Sequence, residues 1–250
     1  MNDKIRKAMM RPDCIMGVTP DNGGSWLSPI REDGAQPTTL PATAGQPWAI
    51  GSGMLKPVSA TIDDNGFLLP ASAYCGSTFD LRGYAGDLTV VCDFEMTNFP
   101  AEQSGRWWIK VFEQGNCFLG NASAFTLAMY FRKDSASGKW TTYFMHDNGT
   151  TANSEGGNAD PTGRHTVAYV KDVSTGTLSG YIDGIHHFSR VRDNYKTPFS
   201  ATVNATVAPR GFMLAGAPQA NYFPEGMERR IHSLAVFNRA LSAQEIADLS

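Results

Sequence analysis

The acidic side chains of this sequence come closest to the chemistry of glycoside hydrolysis, which needs one carboxyl group as an acid and another as a base or nucleophile. Asp93 and Glu95 are spaced at i and i+2, so they share one face of a β-strand. No third acid accompanies them, and no E-x-D-x-x-E segment occurs in the chain. We therefore predict that the pair lies on a solvent-facing strand edge and has no catalytic function.

Patterns for metal binding or for a catalytic nucleophile have even less support in the sequence than the carboxylate pair. His186 and His187 are adjacent, so on a strand their side chains point to opposite faces and do not converge on one ion. The chain has no G-x-S-x-G segment for an activated serine and no glycine-rich phosphate loop. These observations disfavour an enzyme and favour binding or assembly.

Three aromatic side chains are candidates for holding a sugar, because the apolar face of a pyranose ring packs on an aromatic ring. They are Trp108, Trp140 and Tyr222, the last of them in a loop before the final strand. The alternative is that these rings complete the hydrophobic core. The sequence favours that alternative for the three rings taken together.

Short β-strands are the elements that have to position these side chains. The chain of 250 residues has 25 Gly, 14 Pro and 11% aromatic residues, which is typical of strands joined by tight turns. Residues 88–96 alternate between apolar and mostly polar positions, which predicts one buried face and one wet face. Residues 125–132 and 140–146 form two further strand-like runs around a polar loop.

Local signals also mark a hairpin and a terminal helix. Asp183-Gly184 is a dipeptide preferred in type I′ turns. Ser242 and Glu245 have the spacing of a capping box, with Leu241 and Ile246 as its hydrophobic staple. Strands at this spacing without intervening helices predict an antiparallel β-sandwich, on which the short C-terminal helix must dock.

Residues 1–57 differ from the rest, because prolines and the Gly23-Gly24 pair interrupt them and they show no sustained periodicity. We predict an irregular N-terminal arm over 1–57 and one β-sandwich domain over 58–250. An ordered arm has to pack on something. Its own sandwich and a neighbouring subunit are both open as partners.

Charge and cysteine usage restrict the partners and the compartment. The formal net charge is −3 and the basic residues are scattered, so we expect neither nucleic acid nor membrane as a partner. The first residues lack the apolar core of a secretory signal, which predicts synthesis in the cytoplasm without a signal peptide. The cysteines are widely spaced and are predicted to be reduced thiols in or near the core: Cys14, Cys75, Cys92 and Cys117.

Two C-terminal segments carry recognisable motifs. They are GRHTVAYV at 163–170 with GTLSGYIDG at 176–184, and RIHSLAVFNRALSAQEIADL at 230–249. They resemble segments of the laminin-G-like jelly rolls, a branch of the concanavalin A-like sandwiches: the first is similar to the family's W-H-H-V-A … G-t-l-x-l-Y-v-D-G hairpin, and the second to its closing strand and helix. Arg164 stands where tryptophan is common, and Phe237 where tyrosine is common. The resemblance extends loosely from residue 58 and implies a concanavalin A-like jelly roll.

The resemblance also implies what the sandwich does. We expect no cofactor. Such domains often hold a structural Ca²⁺ on loop carboxylates, for which Asp63, Asp64 and Asp80 are candidates, but acidic loop residues are usually only solvated. They recur in bacteriophage surface proteins, so we expect a non-enzymatic structural or assembly protein of a virion surface, such as a head-decorating, fibre or tail subunit. The arm would then mediate either self-association or contact with neighbouring structural subunits. The alternative is a carbohydrate-binding, lectin-like module, and a glycoside hydrolase or lyase is a third and weaker hypothesis.

Overall fold

The computed structural model describes residues 3–18, 56–58, 61–63, 65–70, 74–76, 79, 81–99, 107–115, 125–134, 136–201, 212–214 and 227–250. The strands within these ranges are β1 (Cys14–Val18), β2 (Lys56–Val58), β3 (Thr61–Asp63), β4 (Gly66–Pro70), β5 (Tyr74–Gly76), β6 (Leu88–Thr97), β7 (Trp107–Gly115), β8 (Phe125–Lys133), β9 (Trp140–Asp147), β10 (Ala152–Glu155), β11 (Gly163–Asp172), β12 (Thr177–Ile182), β13 (Ile185–Val191), β14 (Phe212–Leu214) and β15 (Glu228–Phe237). The α-helices within them are α1 (Asp3–Ala8) and α2 (Ala243–Leu249), and a 3₁₀-helix spans Asp193–Lys196.

The described strands form two antiparallel sheets. The first sheet has the order β13-β12-β11-β6-β15-β4-β3, and the second has the order β10-β9-β8-β7-β14-β5-β2. In the first sheet β15 pairs with β4 along its first half and with β1 along its second half. The predicted class, an all-β antiparallel jelly-roll sandwich with a short C-terminal helix, is confirmed.

Strand β6 shows how the core is built. Its alternate side chains, Leu88, Val90, Cys92, Phe94 and Met96, are at most 1% exposed and pack between the sheets, as predicted. The prediction of a wet second face is wrong along most of the strand, because Thr89, Val91 and Asp93 are also buried. Val91 packs in a second apolar cluster on the outer surface of the first sheet, which includes residues of both α-helices.

The beginning of the predicted irregular arm is regular structure. Ile5, Ala8 and Met9 lie at helical spacing and pack on the outer face of the first sheet, beside Ala235 and Phe237 of β15. Strand β1 follows and hydrogen-bonds β15 in the same chain. Residues 3–18 therefore belong to the sandwich in cis, whereas residues 19–55 lie outside the described part of the chain.

The C-terminal helix has the predicted capping box. The Ser242 hydroxyl accepts a hydrogen bond from the Glu245 amide at 3.3 Å, and the Glu245 carboxylate accepts one from the Ser242 amide at 3.0 Å. Leu241 and Ile246 are both buried. The Glu245 carboxylate also binds Arg11 and Arg239, which connects α2 to the N-terminal segment.

The Asp183-Gly184 turn has the predicted geometry as well. Asp183 has φ of 51° and Gly184 has φ of 75°, the left-handed values that a type I′ turn requires. The turn joins β12 to β13. Of the predicted thiols, Cys14 and Cys92 are buried and are not in a disulfide, and Cys117 and the Cys75 side chain lie outside the described atoms.

The sandwich encloses a fully buried histidine. The His146 ring is fully buried beside Tyr195 and Phe199, with centroid separations of 5.1 and 4.9 Å. Its Nε2 atom has no hydrogen-bond partner among the described residues. Burial, reinforced by the positive charge of Lys171, lowers the pKa of His146 to about 3. The folded protein therefore holds a neutral imidazole over most of the acidic range.

Replacing His146 by phenylalanine is expected to make stability less sensitive to acid. Between pH values of about 6.5 and about 3 the unfolded chain binds a proton on His146 that the folded chain does not, so the parent's stability falls as pH falls. The maximal slope for one group is about 1.4 kcal/mol per pH unit. Lowering the pH from about 7 to about 5 should reduce the free energy of unfolding, measured in urea, by about 2 kcal/mol less in the variant than in the parent. Equal losses in the two proteins would contradict this explanation.

Candidate functional site

An open cleft of about 390 Å³ lies at the start of β9. One predicted sugar-binding residue, Trp140, lines it, together with Gly138, Lys139, Asn158, Ala159 and Asp160. The Lys139, Asn158 and Asp160 side chains are exposed, and Trp140 is half-buried. The cleft therefore combines one indole with an amine, an amide and a carboxylate.

The first wall of the cleft is the β8–β9 turn. The Asp134 carboxylate accepts hydrogen bonds from the backbone amides of Ala136 and Ser137, at 2.9 and 2.8 Å. These two bonds, with that of Ser137 the stronger influence, hold the pKa of Asp134 below its ordinary value. The turn is closed by the Asp134 amide, which donates to the Lys139 carbonyl at 2.9 Å. Lys139 therefore lies at the end of a turn whose shape is determined by hydrogen bonds within the turn.

The second wall, residues 156–160, follows β10 and is held against β9. Asn158 forms a β-bridge with Thr141, and the Ala159 amide donates to the Trp140 carbonyl at 3.2 Å. The Thr142 hydroxyl contacts the Gly157 carbonyl at 3.0 Å and the His187 Nε2 atom at 2.8 Å. The wall is therefore fixed to β9 by backbone and side-chain bonds.

The indole of Trp140 serves both as core and as cleft surface. It packs against the main core and contacts the Phe99 ring edge-to-face, with centroids 5.6 Å apart and planes at 77°. The Lys133 Nζ atom lies 6.0 Å from its centroid. The two interpretations that the sequence left open, sugar platform and core residue, are thus compatible at this position.

The other two predicted sugar-binding residues are not brought to this cleft by any described contact. Trp108 lies in β7 opposite Arg132 of β8, and its side chain is outside the described atoms. Tyr222 lies outside the described residues. Both remain predictions.

The predicted calcium ligands receive no support from the described atoms. The Asp63 carboxylate accepts hydrogen bonds from Arg230 at 2.5 Å and from the Asn65 amide at 2.8 Å, so its charge is already paired. Asp64 and Asp80 lie outside the described residues. Within the described ranges, no group of three or more His, Cys, Asp or Glu side chains is arranged to hold a metal ion.

The Asp93–Glu95 pair is not at a solvent-facing strand edge, which corrects that prediction. Asp93 is 1% exposed, and Arg164 of β11 binds both its oxygens at 2.9 and 2.6 Å. The half-buried Glu95 carboxylate lies 3.2 Å from His232 Nε2. β6 is central in the first sheet, so its acids meet basic groups on the flanking strands, and each carboxylate already has a basic partner.

The two adjacent histidines have separate partners. His186 Nε2 lies 2.7 Å from the Ser189 hydroxyl, whereas His187 contacts Thr142 at the cleft wall. That second contact was not predictable from local spacing, because Thr142 is 45 positions away along the chain. A helix long and apolar enough to cross a membrane is not found within the described residues.

Comparisons with known proteins agree with the architecture. The fold is an antiparallel β-sandwich that carries an open cleft beside β9. No protein-family model matches the sequence, and no curated protein matches it. Among solved structures, the binding domain of botulinum neurotoxin serotype D/C matches with a TM-score of 0.63 and 10% identity, over 95% of this chain and 51% of that chain.

Two further neurotoxin structures give the same result. A structure of botulinum neurotoxin type C, whose cell entry depends on two ganglioside molecules, matches with a TM-score of 0.65 and 11% identity, over 97% of this chain and 52% of that one. The receptor-binding domain of type G matches with a TM-score of 0.61 and 12% identity, over 94% and 50%. This chain thus spans about half the length of these structures, and identities this low show a shared fold alone.

Proposed function

We propose that this protein is a non-catalytic, carbohydrate-binding β-sandwich module whose binding site is the Trp140 cleft. The observation that carries the proposal is the convergence of the indole with three exposed polar side chains, Lys139, Asn158 and Asp160, around an open cleft of about 390 Å³. Sites for small ligands generally combine an apolar surface with a few fixed polar groups.

The chemistry of the cleft suits a saccharide. The apolar face of a sugar ring packs on an indole, while its hydroxyl groups need both donors and acceptors. Asn158 offers both, Lys139 donates and Asp160 accepts. The two walls are held by their own hydrogen bonds, so binding costs little ordering of the chain.

Similar folds in known sugar-binding proteins support the proposal. The botulinum neurotoxin type C structure concerns entry through gangliosides, and a related binding domain was solved in complex with SialylT. Because this chain covers only about half of those domains, their ligands support a class of ligand and do not identify one.

The virion location is a separate proposal, which rests on the laminin-G-like resemblance. In it the module is displayed on a phage head, fibre or tail. Residues 3–18 pack on their own sandwich, so this part of the predicted arm is already engaged within the chain. Contact with neighbouring subunits through the arm remains a prediction for residues 19–55.

A saccharide array probed with the parent and with Trp140→Ala tests the binding proposal. The parent should bind a subset of saccharides, and the variant should bind them at least about tenfold more weakly, because it loses the stacking surface. Tyr143→Ala is the matched control, since this ring lies on the same strand but stacks on Tyr130, with centroids 5.0 Å apart. Equal binding by the parent and Trp140→Ala, or an equal loss in both variants, would exclude the cleft as the site.

A further inference from the structure

His165 lies in β11, next to the second wall of the cleft, and both of its ring nitrogens face acceptors. Nδ1 is 2.8 Å from the Asp183 carboxylate, and Nε2 is 3.0 Å from the Thr162 carbonyl. Neither acceptor can donate a proton, and a neutral imidazole carries a single N–H. Both bonds therefore exist together only when the ring is the doubly protonated imidazolium.

Thr162 connects this histidine to the cleft. Its carbonyl accepts from His165, and its amide donates to the Asp160 carboxylate at 2.9 Å. Asp160 lines the cleft. Three hydrogen bonds therefore connect the Asp183 carboxylate, through His165 and Thr162, to the Asp160 carboxylate at the end of the second wall.

The groups that face His165 favour its charged form. Asp183 contacts it from the β12–β13 turn, and its other oxygen is held by the Thr166 amide at 2.9 Å. Asp160 adds a second negative charge from the wall, and from β6 the uncharged Phe94 ring packs against His165, with centroids 5.9 Å apart. The hydrogen bond to Asp183, followed by these charges, raises the pKa of His165 above its ordinary 6.5 despite partial burial.

We infer that His165 is a pH-dependent lock on the cleft wall: its imidazolium form ties Thr162 to Asp183, and loss of one proton releases Thr162 and loosens Asp160. The effect on ligand binding rests on the proposed function, whereas the lock itself does not. Because the pKa is raised in the folded state, the lock is fully present below a pH of about 6.5 and is lost as pH rises through the folded pKa. Saccharide binding should therefore weaken as the pH becomes alkaline.

Two measurements on the free protein test the lock. Nitrogen-15 NMR should show both His165 ring nitrogens protonated at a pH of about 6, with a titration midpoint above 6.5. The Thr162 amide should exchange about tenfold more slowly in the parent than in His165→Gln at that pH, and equally fast in both at a pH well above the measured midpoint. His186→Gln, which alters an exposed histidine of the neighbouring hairpin, is the matched control and should exchange like the parent.

The saccharide array, run at a pH of about 6 and at a pH well above the measured His165 midpoint, tests the consequence for binding. The parent's binding should weaken about three- to tenfold at the higher pH, and His165→Gln should bind weakly at both. If His165 titrates as expected but no saccharide binds, the lock stands and the proposed function fails. If saccharides bind equally at both pH values in the parent and the variant, the lock is refuted while the proposed function stands. If His165 is neutral at the lower pH, the lock is refuted whatever the array shows.

Discussion

Replacing Phe94 by alanine is expected to lower the free energy of unfolding by about 4 kcal/mol. The ring has no exposed surface and packs on Phe131, with centroids 5.7 Å apart, and on His165. β6 is hydrogen-bonded along its length to β11 and β15, so the backbone cannot move in to fill the space. The loss therefore combines the transfer of the ring with the cost of a cavity. Urea unfolding followed by far-ultraviolet circular dichroism measures it.

Two companion variants make this measurement specific. Phe94→Leu retains most of the volume and should cost about 1.5 kcal/mol. Ile185→Ala removes an apolar side chain that is 73% exposed, and should change stability by no more than about 0.5 kcal/mol. A loss in Phe94→Ala as small as that of Ile185→Ala would show that the two sheets do not enclose this ring tightly.

Replacing Gly66 by alanine is expected to lower the free energy of unfolding by about 3 kcal/mol or more. Gly66 has φ of +133°, which side chains rarely adopt, and a Cβ atom there would lie 2.2 Å from the Ile231 carbonyl oxygen. That oxygen belongs to β15, which is paired with β4, so the register between the strands would have to change. Thermal or urea unfolding measures the effect.

Gly138→Ala is the matched control for this substitution. Gly138 also has a positive φ, +67°, but a Cβ atom there meets nothing within 4 Å. The free energy of unfolding of this variant should therefore fall only by the conformational penalty, about 1 kcal/mol. Equal losses at the two positions would mean that backbone strain alone, and not the contact with Ile231, explains the need for glycine at Gly66.

The features that the sequence predicted are those that neighbouring residues determine. The alternation along β6, the Asp183-Gly184 turn and the Ser242–Glu245 capping box all lie within about ten residues, where strand and turn geometry apply directly. The burial of the second face of β6 could not be predicted from neighbouring residues. Its burial depends on two helices, each under two turns long, from opposite ends of the chain. The helical spacing of Ile5, Ala8 and Met9 was the one available signal for the first of them.

The candidate site was predictable in residue type but not in geometry. Trp140 was identified because an indole suits a sugar ring, yet the same reasoning selected Trp108 equally. What distinguishes Trp140 is the wall of residues 156–160, which long-range bonds from Thr142 and His187 hold in place. No local periodicity encodes those contacts.

The two helices lie together on one face of the first sheet. The Lys4 ammonium donates to the carbonyl oxygen of Ser250, and Arg11 binds Glu245, so each contact joins segments more than 230 positions apart in sequence. Opening of either helix removes partners of the other, so α1 and α2 should unfold as one cooperative unit and exchange their amide hydrogens together.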